Sequence, residues 1–250
     1  MVKKYNLKGI IKLVAVAVAV LLLVPAQTVF AATWSSSDNW GEWKTNGYTI
    51  RNDIWGEGAG PQSIWANSES DWGVWSAHPN TGGIKSYPHA EKVINKNLSD
   101  IKTLTSNFNV TVPTNGVAME TAYDIWLNNN AYEVMLWMNS YGDVKPISYN
   151  YDSYGNAVPY YWGVPVGGHT WNVYRGNNGG NEVFSFVRVD GNISSGTVDL
   201  QEILNWIKDV PEWYGDVYLG QVQFGYEITS SYNNGNGYNF KTNNFSVYSE

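Results

Sequence analysis

The 250-residue sequence contains no cysteine and only three histidines, His78, His89 and His169. Without cysteine there is no disulfide, no thiol nucleophile and no thiolate metal site, so stability has to come from a buried core and backbone pairing. The histidines lie far apart in sequence, which gives a His-rich zinc site or a Ser/His/Asp triad no support. Charged residues are sparse, at 15% of the chain. Past residue 24 no apolar run approaches the roughly 20 residues a membrane-spanning helix needs. No Asp-rich loop calls for calcium, and neither a metal nor an organic cofactor is expected.

The single long apolar run stands at the start. Basic MVKKYNLKGIIK is followed by LVAVAVAVLLLVP and then by VFAA, the three-part pattern of a secretory signal peptide over residues 1–31, with cleavage after Ala31 or Ala32. Its loss removes Lys3, Lys4, Lys8 and Lys12 and no acid. Lys plus Arg then falls from 15 to 11 against 22 Asp plus Glu, a formal charge near −11 for residues 32–250. So acidic a chain repels nucleic-acid phosphates and anionic lipid, which points to a neutral ligand. A secreted, extracellular monomer is expected, free of the membrane once the leader is removed. The remaining length suits one well-buried domain.

What the chain has in abundance is aromatic: 13 Trp, 18 Tyr and 7 Phe. Trp and Tyr carry polar tips and fill a dry interior less well than Leu or Ile, so many should sit at a surface. A flat ring beside a hydrogen-bonding group suits the face of a pyranose, an apolar patch ringed by hydroxyls.

No linker, charge block or repeat divides residues 32–250. TNGYTIRND, GVAMETAYDIWL, EVMLWMN, HTWNVYRG, NEVFSFVRV, VYLGQVQFGYEIT and NFKTNNFSVYS read as strands. The intervening NNG, DGN, SYGN and NNGNG are turns built from residues that tolerate positive φ. An all-β fold follows, a β-jelly-roll sandwich of two antiparallel sheets. One short helix breaks the pattern: TVDLQEILNWIKDV spaces Leu200, Ile203, Leu204 and Ile207 on one face, starts at Thr197 or Asp199 and stops at Pro211. HAEKVINKNLSDIKTL fits either a helical stripe or a strand followed by a loop.

Within 131-AYEVMLWMN-139, strand alternation places Glu133, Met135, Trp137 and Asn139 on one face and Val134, Leu136 and Met138 on the other. An acid beside a large aromatic is an odd choice for a solvated surface and a sensible one for a cleft floor. In 221-QVQFGYEIT-229 the same reading gives a polar row of Gln221, Gln223 and Glu227. Asp124 lies opposite Tyr123 and Ile125 on its strand and reaches the same cleft if that strand pairs with the one bearing Glu133. Two carboxylates across a Trp-lined groove meet the needs of glycoside hydrolysis: one attacks the anomeric carbon and the other, kept protonated, supplies a proton to the leaving oxygen. Any one of these acids taken alone reads equally as an exposed strand carboxylate.

Taken together, 132-YEVMLWMN-139, 223-QFGYEIT-229, 121-TAYDIWL-127, 48-YTIRNDIWG-56 and 183-VFSFVRV-189 resemble glycoside hydrolase family 12, endo-β-1,4-glucanases and xyloglucanases with a jelly-roll fold. The motifs follow the family's order across residues 32–250. The resemblance implies a secreted, retaining endo-β-1,4-glucanase acting on β-glucan, xyloglucan and amorphous cellulose among them. It gives Glu133 as nucleophile, Glu227 as acid/base and Asp124 as the supporting carboxylate. Trp55, Met135 and Trp137 are its substrate-binding residues, with Asn52 a partner for sugar hydroxyls. The chain departs from the family's commonest form in lacking the disulfide near the mature N-terminus. Two rival readings stand beside this one: a jelly-roll xylanase, whose motif usually has tyrosines beside the nucleophile, and a non-catalytic carbohydrate-binding module, which has no need of the three acids.

Overall fold

The structure, a computed structural model, describes residues 31–250; all but the last residue of the expected signal peptide, residues 1–31, lies outside the described residues. In chain order the strands begin with β1 (Trp34–Ser36), β2 (Glu42–Thr45), β3 (Tyr48–Arg51), β4 (Gln62–Ser68) and β5 (Asp71–Ser76). Then come β6 (His89–Asn97), β7 (Leu104–Thr111), β8 (Ala118–Leu127), β9 (Tyr132–Tyr141) and β10 (Tyr161–Val166). The last are β11 (His169–Asn177), β12 (Glu182–Arg188), β13 (Ser195–Asp199), β14 (Tyr218–Ser230) and β15 (Tyr238–Ser249), with helix α1 (Leu200–Asp209) between β13 and β14.

The strands form two sheets, one of six in the order β1-β4-β5-β15-β7-β13 and one of nine in the order β10-β11-β12-β9-β8-β14-β6-β3-β2. This is the expected β-jelly-roll sandwich with one short helix. The sheets are not wholly antiparallel, because β12 runs parallel to β9, with Val183 beside Glu133 and Ser185 beside Met135. After β9, residues 142–160 carry the chain to the sheet edge before β10; β11 and β12 then fill inward, leaving β12 in the same direction as β9. A parallel neighbour needs such a long connection.

Alternation sorts the three central strands cleanly. Met119, Tyr123 and Ile125 of β8, Val134, Leu136 and Met138 of β9, and Val222, Phe224, Tyr226 and Ile228 of β14 are buried between the sheets. They meet Ile64, Trp72, Val74, Phe108, Phe240 and Phe245 from the six-stranded sheet. Tyr123, Phe224, Phe108 and Phe245 form an aromatic knot, Tyr123 and Phe224 with centroids 4.7 Å apart and Phe224 stacked on Phe245 at 5.1 Å. The hydroxyls are satisfied within this core: Tyr123 donates to Ser106 Oγ at 2.9 Å, and Tyr226 shares a 2.7 Å bond with Thr242. Burial of each such large apolar side chain contributes roughly 1.5–3 kcal/mol, which is how a cysteine-free chain of this length holds together.

Helix α1 starts where expected. Asp199 accepts from Glu202 N at 2.9 Å, a side-chain N-cap, while Leu200, Ile203, Leu204 and Ile207 are buried. The ambiguous segment resolves as strand β6 followed by a single 3-10 turn, Leu98–Asp100.

Candidate active site

The outer face of the nine-stranded sheet carries a cleft of about 580 Å3 whose floor comes from β9, β8 and β14. Strand β8 pairs with both neighbours, so Asp124 stands between Met135 on one side and Gln223 on the other. Glu133 lies across from Trp126, and Glu227 lies across from Glu120. Glu133, Asp124 and Glu227 all line the cleft and are 7%, 4% and 8% exposed. The pairing between the strands of Asp124 and Glu133, a condition of the sequence reading, is present.

Gly225 fixes where Glu227 stands. A Cβ at Gly225 would lie 2.1 Å from the Pro88 carbonyl oxygen and 2.7 Å from His89 Cβ, so only glycine lets β14 lie this close to the start of β6. The Gly two residues before the acid is therefore a requirement of backbone approach.

Burial dominates the electrostatics. It raises the affinity of Glu133, Asp124 and Glu227 for protons, and the charge of Glu227 adds to the effect on Glu133, as those of Glu133 and Glu227 do on Asp124. Glu133 and Glu227 each also have one neighbour that works against burial and favours the ionised form. Asn178 donates its side-chain amide to Glu133 Oε2 at 3.1 Å, which favours the Glu133 carboxylate. Glu227 stands across from Glu120 in the sheet, and this buried neighbour favours the ionised form of Glu227 while its own carboxyl is driven towards protonation.

Trp55, 46% exposed, and Trp40, 68% exposed, both line the cleft. Met135 and Trp137 form part of the floor, buried to 6% and 4%, and pack with Ala122 and Val183. Trp137 Nε1, Asp124 Oδ1 and Ser185 Oγ are buried here without hydrogen-bond partners among the described residues. Buried polar groups seldom stay unpaired, so a ligand bearing hydroxyls fits this floor.

Asn52 is not part of the cleft. It is fully buried, donating to the Asp38 carbonyl at 2.9 Å and accepting from Gln62 Nε2 at 2.9 Å. Its neighbour Asp53 lines the cleft, because Asp53 has φ 43 and this left-handed residue swaps which side chain faces out. Burial pushes Asp53 up to about 6, with Arg51 opposing and Glu91 reinforcing the rise. His89 Nδ1 lies 3.6 Å from its Oδ2, but His89 is buried and pushed down to about 4, so the pair is not ionic near neutral pH. Asn139 also leaves the face assigned to it. A bulge puts Trp137 across from Ala122 and Asn139 across from Thr121, with Met138 extra. The Asn139 side chain accepts from Thr121 N at 3.2 Å and donates to Ile193 O at 3.2 Å, mending the ladder.

Sequence reasoning missed Glu120, Asp53 and Asn178, together with the relay from Trp126 Nε1 to Gln223 Oε1 (3.1 Å) and from Gln223 Nε2 to Glu91 Oε2 (3.2 Å). Period two does place Glu120 on the face of Asp124 and was the available signal. Asn178 follows from no pattern, since it sits in the turn joining β11 to β12.

Comparison with known proteins places the chain in a family. Residues 46–250 match the family described as glycosyl hydrolase family 12. The probable xyloglucan-specific endo-beta-1,4-glucanase A of Aspergillus terreus is 30% identical over 205 residues, covering 76% of this chain and 79% of that protein. Among solved structures, the xyloglucanase domain of NopAA, a type three effector from Sinorhizobium fredii in complex with cellobiose, is 47% identical with a TM-score of 0.83 and covers 88% of this chain and 100% of that one. The family 12 xyloglucanase from Bacillus licheniformis is 27% identical with a TM-score of 0.73, covering 87% and 100%. On the match over residues 46–250, with the carboxylate-bearing cleft beneath it, this chain belongs to glycosyl hydrolase family 12 and is a glycoside hydrolase.

Proposed function

We propose that the chain is a secreted endo-β-1,4-glucanase that cuts internal bonds of β-glucan with retention of configuration, and that xyloglucan is among its substrates. The observation that carries this reading is the pair Glu133 and Glu227 in one Trp-lined cleft, the first hydrogen-bonded by Asn178 and the second standing across from Glu120 in the sheet. Glu133, as carboxylate, attacks the anomeric carbon; the glycosidic C–O bond breaks as Glu227 passes its proton to the departing oxygen. Glu227, now a carboxylate, takes a proton from water, whose oxygen displaces Glu133 and regenerates both groups. Asp124, on the strand between them, is driven towards its protonated form by burial and by the charges of Glu133 and Glu227, and so can carry a proton within the cluster.

Trp55 and Trp40 offer ring faces to sugars away from the bond being cut, and Met135 and Trp137 floor the positions next to it. Xyloglucan is favoured by the xyloglucan-directed names of the relatives. The basic and apolar leader supports export. The deciding measurement is release of reducing ends from xyloglucan, carboxymethyl cellulose, mixed-linkage β-glucan and xylan, with the first-formed anomer read by NMR. Cleavage of a β-1,4-glucan with the β anomer first supports the reading; the α anomer overturns retention, and binding without cleavage overturns the enzyme.

A further inference from the structure

Trp126 lines the cleft, yet the two-carboxyl chemistry gives it no task. On the cleft face, β14, β8 and β9 line up in rows across the sheet. Gln221, Trp126 and Glu133 make one row, Gln223, Asp124 and Met135 the next, Gly225, Ala122 and Trp137 the third, and Glu227 with Glu120 the fourth. A glycosidic bond held between Glu133 and Glu227 therefore lies over the second and third rows. Trp126 stands outside that floor, level with Glu133, and is half-buried on a flank that also holds Gln221 and Asn130. Whatever meets its ring projects sideways from the chain being cut.

The ring is also fixed in advance. Trp126 Nε1 donates to Gln223 Oε1 at 3.1 Å, Gln223 Nε2 donates to Glu91 Oε2 at 3.2 Å, and Arg51 Nε lies 3.6 Å from that same oxygen. Strands β8, β14, β6 and β3 thus each supply one member of a chain that ends on a single indole. The N–H is the only polar group an indole has, so Trp126 is left with its ring surface to offer. Trp137, in the floor, keeps its N–H unpaired among the described residues.

We propose that Trp126, with Gln221 and Asn130, is a subsite for a sugar branch carried by the β-glucan backbone, and that Gln223, Glu91 and Arg51 are positioning residues for its ring. The inference rests on the reading of the chain as a β-1,4-glucanase whose substrates include xyloglucan. Xyloglucan differs from an unbranched β-1,4-glucan in the xylosyl groups on the 6-hydroxyls of its glucosyl units, so its branches leave sideways while the backbone occupies the floor. A pentose sets an apolar face against a flat ring and its hydroxyls against amides, and Gln221 and Asn130 supply the amides. A free Trp side chain would lose rotamer freedom on meeting the branch. The hydrogen-bonded chain behind Trp126 has removed that freedom beforehand, which strengthens binding.

The test compares kcat and KM of Trp126→Ala with wild type on two oligosaccharides of equal backbone length, one xylosylated and one unbranched. The loss of kcat/KM is expected to be about tenfold greater on the xylosylated substrate, the size of one aromatic contact. It should appear in KM, because the branch is held alike in ground state and transition state. Glu91→Leu, which cuts the chain behind the ring, should reproduce part of this selective loss and add nothing to it in the Trp126→Ala background. Glu91→Gln keeps an acceptor for Gln223 and should behave as wild type does towards the branch. Additive effects of Glu91→Leu and Trp126→Ala overturn the positioning chain. Should Trp126→Ala not fold, Trp126→Leu keeps apolar bulk without the flat face and is read in the same way. Cleavage of both substrates by wild type, with equal losses in the Trp126 variant, overturns the branch subsite alone; cleavage of neither overturns the glucanase reading and the subsite with it.

Discussion

Asn178 hydrogen-bonds Glu133 Oε2 at 3.1 Å, although Asn178 belongs to a turn and Glu133 to the centre of a sheet. The contact stabilises the ionised form of a carboxyl that burial and the charge of Glu227 otherwise drive towards protonation. In Asn178→Ala the Glu133 carboxyl therefore takes up its proton at higher pH. The acid limb of kcat/KM moves up by about one unit, equivalent to about 1.4 kcal/mol, while the basic limb stays in place. An acid limb identical to wild type removes Asn178 from this role.

The legibility of the site divides along physical lines. Glu133, Met135 and Trp137 could be read as one face because regular alternation holds from Tyr132 to Trp137, and Glu227 because it holds from Gln221 onward. The reading failed where one residue breaks the period. The positive φ of Asp53 turned Asn52 inward and itself outward, and the bulge at Met138 redirected Asn139 to the backbone. Asp and Asn are the residues that tolerate the left-handed region, so Asn52-Asp53 carried a warning that local sequence could not place. The partnership of Glu120 with Glu227 depends on the register of two strands about a hundred residues apart in sequence, and the parallel β9–β12 pair on a connection that runs to the sheet edge and back. Neither is written in any short window.

Gly225 allows β14 and β6 to touch, so Gly225→Ala should force Pro88 and Glu227 apart. Overpacking of this kind typically costs about 1–3 kcal/mol, and at this chain length each kcal/mol lowers Tm by roughly 2–4 °C. The expected variant melts several degrees lower and, because Glu227 shifts with its strand, loses activity at temperatures where it is still folded. Thermal melts and kcat below the transition separate the two effects. Wild-type kcat in a destabilised but folded variant would mean that Gly225 serves packing alone.

Trp55 and Trp40 line the same cleft as the carboxyls and are its most exposed rings. Their stacking on sugar acts on bound substrate and transition state alike, which changes KM and leaves kcat nearly unaltered. Trp55→Ala should raise KM for long oligosaccharides about tenfold, a loss near 1.4 kcal/mol, and have little effect on substrates too short to reach it. Equal effects on short and long chains would place Trp55 outside the substrate path.

Glu133→Gln separates function from stability. Loss of the nucleophile should abolish turnover while oligosaccharide binding persists, because the amide keeps the shape of the side chain. The same substitution should stabilise the fold at neutral pH. Burial and Glu227 push Glu133 up to about 8, against a model-peptide value near 4.5. Its folded pKa is raised, so its favourable contribution is fully present below about 4.5 and is lost as pH rises through about 8. Over that window wild type must bury either a proton held against solution or an unwelcome charge, and Gln carries neither. Tm of Glu133→Gln should match wild type near pH 4 and exceed it by several degrees at pH 8. Inactivity with a lowered Tm at pH 8 would instead mean that the carboxylate helps hold the sheet together, and the loss of turnover could then no longer be assigned to the missing nucleophile.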